Sequence, residues 1–160
     1  MPSTITIGVI GGNTASKEVA DLAYEVGKHI ALNAAVLVCG GLGGVMEAAS
    51  KGASENGGEV IGILPGDDKA DSNPHVTVAI PTAMGIGRNL LVVRSSDAII
   101  AFPGSYGTLS EISLALSLGK TVVYMPGSWD LRKIGRVDVS LFKEAFTPEQ
   151  AIGIALNTCK

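Results

Sequence analysis

The stretch Phe102-Pro103-Gly104-Ser105-Tyr106-Gly107-Thr108-Leu109-Ser110-Glu111 decides how the rest of the chain reads. Before it, Ala98, Ile99, Ile100 and Ala101 form an apolar run with the character of a buried strand. After it, Ile112, Leu114, Ala115, Leu116 and Leu118 read as a helix. A glycine-rich turn between a strand and a helix leaves backbone N–H groups unpaired at the helix start. Together with the helix dipole, those groups make a ready site for an anion. Glu111 sits one turn into the helix, close to where a bound anion would lie. An acid in that place points to chemistry beside a phosphate rather than to phosphate binding alone.

Outward from this stretch, strand and helix alternate in both directions. Apolar runs over residues 5–10, 35–39, 60–64, 76–80, 98–102 and 121–125 read as strands. Most are continuous, as expected when helices cover both faces of a parallel sheet. The run His75-Val76-Thr77-Val78-Ala79-Ile80 alternates instead, which suits an edge or half-exposed strand. Between the strands, Val19, Leu22, Ala23, Val26 and Ile30 keep helical spacing. Val45, Ala48, Ala49, Gly52 and Ala53 form a second stripe of small residues that allows close packing on the sheet. Leu90, Leu91 and Val93 belong to a third helix, which is either a candidate subunit interface or core packing. Thr147-Pro148-Glu149-Gln150 starts the closing helix, with Thr as N-cap, Pro in the first turn and Gln completing a capping box. The alternation predicts βαβ crossovers and an α/β fold. We expect a single domain over residues 1–160, a doubly wound, mostly parallel, Rossmann-like sheet with helices on both faces.

Composition excludes several classes of function. A chain of 160 residues can bury a real core without staples. Only 17% of residues are charged and the net charge is −3, so there is no basic footprint for nucleic acid. No apolar run reaches the roughly 18 residues of a membrane span. Cys39 and Cys159 lie far apart and have neither metal nor redox spacing, so no metal site is expected. Cys39 falls inside an apolar strand and reads as core. Few cysteines and no charged-then-apolar leader imply a reducing, cytoplasmic setting.

In an open parallel sheet, ligands bind at the carboxyl ends of the strands, near a switch in strand order. Three glycine-rich turns fall at such ends. They contain Gly11 and Gly12 after the first strand, Gly40, Gly41, Gly43 and Gly44 after the second, and Gly104, Ser105, Tyr106, Gly107 and Thr108 after the fifth. One such turn is explained by packing alone. Three at one edge favour a shared phosphate-bearing ligand. Neither of the first two completes the G-x-G-x-x-G dinucleotide fingerprint. Gly119-Lys120-Thr121 ends like a P-loop but precedes a strand, so Lys120 reads as an ordinary turn lysine.

Arg88 starts an otherwise apolar helix, 23 residues before Glu111. A chain that runs down one helix and back along the next strand returns to the same sheet edge, so Arg88 and Glu111 are expected to converge. The helix dipole disfavours a cation at a helix start, which weighs against an idle surface arginine. Arg94 and Asp97 read as a salt-linked turn. Residues 65–73, with Asp67, Asp68 and Asp71, form a polar loop that is either a solvated connection or a lid.

With these residues in place, the chain resembles the LOG (LONELY GUY) family and its molybdenum-cofactor carrier-like relatives. That family's signature, P-G-G-x-G-T-x-x-E with an upstream arginine, stands here as Pro103-Gly104-Ser105-Tyr106-Gly107-Thr108-Leu109-Ser110-Glu111 and Arg88. The similarity runs from the first strand to about Pro126. The resemblance implies a phosphorylated nucleotide-like ligand held by Gly104, Gly107 and Thr108, with Arg88 and Glu111 as a catalytic pair. It implies hydrolysis of a nucleoside 5′-monophosphate to free base and ribose 5-phosphate, with no cofactor required. In that reaction positive charge builds on the ribose ring, and a carboxylate such as Glu111 stabilises it or orients water. The alternatives are a carrier of a phosphorylated pterin such as molybdenum cofactor, or a sensor that binds without turnover. A homodimer or homotetramer is implied in each case. Ser105 replaces the second glycine of the signature, and Ile86-Gly87 and Asn89 flank Arg88 where hydrolases often carry His-Glu and Lys.

Overall fold

The computed structural model describes residues 3–133, 135 and 138–160. Its strands are β1 (Thr6–Ile10), β2 (Val36–Cys39), β3 (Val60–Leu64), β4 (Val78–Pro81), β5 (Ala98–Ala101), β6 (Val122–Tyr124) and β7 (Phe142–Glu144). Its helices are α1 (Lys17–Leu32), α2 (Val45–Glu55), α3 (Asn89–Arg94), α4 (Tyr106–Ser117) and α5 (Pro148–Thr158). The strands form one sheet in the order β4-β3-β2-β1-β5-β6-β7, and every pairing is parallel. This is the Rossmann-like, doubly wound α/β arrangement. The chain starts at β1 in the centre, builds outward through β4, then returns to the other side of β1 with β5. That reversal opens a crevice between the carboxyl ends of β1 and β5.

Alternate strand residues feed two separate cores. Ile7, Val9, Leu37, Ile100 and Phe102 face α1, α2 and α5, while Ile10, Val38, Ile99 and Ala101 face α3 and α4. The stripe of small residues on α2 packs on α1 as well as on the sheet. A side chain at Gly27 would strike the Ala49 carbonyl, and one at Gly52 would strike the Tyr24 carbonyl. The two helices therefore meet backbone to backbone. At the start of α5, Thr147 Oγ1 accepts from Gln150 N at 3.2 Å, and Gln150 Oε1 accepts from Phe146 N at 2.9 Å.

The structure adds to and corrects the expected layout. β7 is a seventh strand; its three residues include Lys143 and Glu144, too little apolar sequence to be seen as a run. β4 is the alternating edge strand, with Val78 and Ile80 exposed. Arg94 and Asp97 do not pair. Asp97 Oδ2 instead accepts from Thr6 N and Thr6 Oγ1, pinning the start of β1. Lys120 Nζ donates to the Arg94 and Ser96 carbonyls, so this turn lysine closes the end of α3. Within 65–73, Lys69–Asp71 form a short 3-10 turn. The buried Asn73 then hooks the loop to the second glycine turn, donating from N to the Gly41 carbonyl at 2.8 Å and from Nδ2 to the Leu42 carbonyl at 2.9 Å. α3 divides its apolar residues: Val92 and Val93 are buried in the core, while Leu90 is exposed. No helix among the described residues is long and apolar enough to cross a membrane.

Candidate functional site

The three glycine turns follow neighbouring strands, β2, β1 and β5, and are tied to one another. Gly12 N donates to the Pro103 carbonyl at 2.8 Å, and Val45 N donates to the Gly12 carbonyl at 3.0 Å. Asn13 Oδ1 accepts from Gly43 N at 2.9 Å. Gly44 has φ +61°, and a Cβ there would run into the backbone of Gly12 and Asn13. The turns enclose a cleft of about 310 Å³ whose wall includes Gly11, Gly12, Gly40, Arg88, Thr108 and Glu111.

Helix capping sets this edge apart. α1 is capped by Ser16, whose Oγ accepts from Val19 N, and α5 by Thr147. α2, α3 and α4, the helices that open on the cleft, start at Gly44, Arg88 and Ser105 with no side-chain cap. Among the described residues, no acceptor takes the N–H groups of Tyr106, Gly107 or Thr108. These donors, with the positive end of the α4 dipole, are available to an anion.

Beneath the turns lies a buried ion pair. Arg88 ends a 3-10 turn, Gly85–Arg88, and Glu111 projects from α4. Arg88 Nη1 stands 3.9 Å from Glu111 Oε1 and donates to Asn89 Oδ1 at 3.0 Å. Among the described residues, the buried Arg88 Nε has no hydrogen-bond partner. The guanidinium lies over Gly40, where a Cβ would sit 2.7 Å from Arg88 Cζ. Burial pushes the Glu111 carboxyl up to about 7, and Arg88 only partly offsets this. Burial likewise pulls Arg88 down, against the pull of Glu111.

The residues singled out from the sequence therefore take different places. Gly11, Gly12, Gly40, Ser105, Gly107, Thr108, Arg88 and Glu111 all border the cleft. Gly41 packs beneath it against Leu64 and Gly62, and Gly104 backs onto Thr108. Gly43 and Gly44 hold the turns together from the side. The Tyr106 ring points to solvent, 81% exposed. Two cleft residues had not been singled out for roles here. Asn13 links two turns, and Asn89 shares the Arg88 guanidinium. Their positions, directly after a glycine pair and directly after Arg88, were the available signal. Among the described residues, no group of three or more His, Cys, Asp or Glu side chains could hold a metal.

Residues 4–156 match the SLOG cluster4 family. The chain belongs to that family. A protein of Archaeoglobus fulgidus, described as uncharacterized, is 41% identical to this SLOG cluster4 chain over 95% of both. A probable cytokinin riboside 5′-monophosphate phosphoribohydrolase of Oryza sativa subsp. japonica is 35% identical over 58% of the chain, which spans only 42% of the plant protein. Among solved structures, the molybdenum cofactor binding protein of Rippkaea orientalis superposes with a TM-score of 0.92 at 36% identity, covering all of both chains. The molybdenum cofactor carrier protein of Chlamydomonas reinhardtii gives 0.88 at 33% identity over 98% of both.

Proposed function

We propose that this SLOG cluster4 protein binds a phosphorylated, nucleotide-like ligand at the β1–β5 crevice and carries it without turnover. A phosphorylated pterin of the molybdenum-cofactor class is the favoured cargo. The reading is carried by the free N–H groups at the start of α4, which opens on the cleft with no side-chain cap, as do α2 and α3, while α1 and α5 are capped by their own side chains. The ligand phosphate would take the N–H groups of Tyr106, Gly107 and Thr108. The Arg88 guanidinium, which borders the cleft, adds positive charge there. A carrier rather than a hydrolase is supported by likeness over the full chain to cofactor-binding and carrier proteins, whereas the phosphoribohydrolase match covers 58% of it. Ile86-Gly87 in front of Arg88 supplies no acid or base to share the work.

A second reading has one specific observation in its favour. A carboxyl held near 7 beside an arginine is poised for acid–base or electrostatic work at neutral pH. Incubation with AMP, GMP, CMP and IMP, followed by chromatography for free base, separates the two. The carrier reading expects tight binding in calorimetry, no base release, and pterin-like absorbance in the purified protein. Base release that is lost in Glu111→Gln overturns it in favour of a phosphoribohydrolase.

A further inference from the structure

The chain carries one tryptophan, and it stands behind the anion turn rather than in the core. Four consecutive carbonyls of that turn are each engaged. Phe102 O accepts from Ser128 Oγ at 3.1 Å, and Pro103 O accepts from Gly12 N at 2.8 Å. Gly104 O accepts from Trp129 Nε1 at 3.2 Å. Ser105 O accepts from Leu109 N at 3.1 Å and shares Trp129 Nε1 at 3.3 Å. A peptide group held by its carbonyl has a fixed orientation, and its N–H must point the opposite way. The held carbonyls of Pro103, Gly104 and Ser105 fix the N–H groups of Gly104, Ser105 and Tyr106, the last a free donor at the start of α4. The Phe102 carbonyl precedes Pro103, which has no N–H, and its bond anchors the chain entering the turn.

The Gly104 carbonyl is held by the indole N–H, the Ser105 carbonyl shares that N–H with Leu109 N, and the Phe102 carbonyl is held by the neighbouring Ser128 hydroxyl. The indole N–H and the hydroxyl both come from the segment after β6, outside the stretch that carries the family signature. The indole ring also packs, half-buried, against the core beneath α3 and α4. Packing fixes the ring, and the ring fixes the turn.

We propose that Ser128 and Trp129 form a strap that positions the anion turn, with Trp129 Nε1 as the positioning group for phosphate binding. The proposal rests on the anion-site reading above. It separates two properties of one side chain: the ring fills a groove, and the N–H orients two peptides. Trp129→Phe keeps the ring and removes the donor. Trp129→Gln removes the ring and retains an N–H donor.

The test is calorimetric titration of wild type, Trp129→Phe, Trp129→Gln and Ser128→Ala with AMP and with inorganic phosphate. Amide NMR shifts of residues 104–108 are recorded alongside in the ligand-free proteins. Trp129→Phe is expected to shift those amides and to weaken AMP about tenfold, with a melting temperature close to wild type. Ser128→Ala is expected to weaken it less. Trp129→Gln is expected to bind AMP more tightly than Trp129→Phe despite lower thermal stability, an order a space-filling role would reverse. Wild-type tryptophan emission, excited selectively over tyrosine, should change on AMP addition, because the sole tryptophan touches the turn. Wild-type binding that Trp129→Phe leaves unchanged, with unmoved amides, overturns the strap alone. No binding of AMP or phosphate by wild type overturns the anion site and the strap with it.

Discussion

Arg88 Nη1 and Glu111 Oε1 lie 3.9 Å apart with both side chains about nine-tenths buried. At that distance they share an electrostatic field without a direct hydrogen bond. Neither charge is fully compensated, as Arg88 Nε also shows by having no partner among the described residues. The pair is thus expensive to keep and sensitive to what lies next to it.

Glu111 makes stability depend on pH in a direction opposite to most carboxylates. Its folded value is about 7 against an ordinary 4.5, so the folded state holds a proton that the unfolded chain has released. Stability from this group is present below about 4.5 and is lost as pH rises toward about 7. Glu111→Gln removes the titration. Relative to that variant, wild type is expected to lose roughly 3 kcal/mol between pH 5 and pH 8 in urea denaturation. Parallel profiles for the two proteins would contradict this.

Arg88→Met strands the carboxyl of Glu111 in an apolar setting and pushes it further up. The variant is expected to be near wild-type stability at pH 5, where Glu111 is protonated. At pH 8 it should be weaker by about 3 kcal/mol, the cost of an unpaired buried charge. Denaturation at the two pH values measures it, and AMP affinity should fall at both.

Thr108 is 4% exposed at the third position of α4, with its hydroxyl against Gly104. Thr108→Val keeps the shape and deletes the hydroxyl. AMP affinity by calorimetry is expected to fall about tenfold with little change in melting temperature.

Gly40→Ala tests whether that glycine serves the ligand or the arginine. Its new methyl would meet Arg88 Cζ and Nη2, each at 2.7 Å. The guanidinium must move, so AMP binding should weaken and the pH dependence assigned to Glu111 should change. The stability cost is expected to be about 1–3 kcal/mol, as for other overpacked sites.

Gly27→Ala is the matching test of the scaffold. Its methyl would strike the Ala49 backbone carbonyl, which cannot swing aside as a side chain can. Destabilisation of about 3 kcal/mol is expected, with the AMP dissociation constant of the folded fraction unchanged. A selective loss of AMP affinity would show that α1–α2 packing reaches the cleft.

Much of the architecture was legible because buried parallel strands write themselves as unbroken apolar runs, as at Ala98–Ala101. The approach of Arg88 to Glu111 followed from topology, since one helix and one strand return the chain to the same edge. β7 was not legible because a three-residue edge strand with one apolar side chain has no periodicity. Glycine turns were visible, but the purpose of each glycine was not. Gly40 was expected to meet a phosphate; what the structure shows against it is the Arg88 guanidinium. A sequence shows which residue lacks a side chain, not what lies above its Cα. The tie from Asn13 to Gly43 was hidden for a similar reason, because an asparagine after two glycines fits any tight turn.

The bonds from Gly12 to Pro103, from Val45 to Gly12 and from Gly43 to Asn13 join three turns before any ligand arrives. Such a cradle has little conformational freedom left to surrender on binding, so nearly all of each new contact can appear as affinity. It also has few internal motions with which to eject what it holds. On the carrier reading proposed above, a tightly bound guest would leave slowly on its own, and release would be fastest when another molecule distorts the cradle.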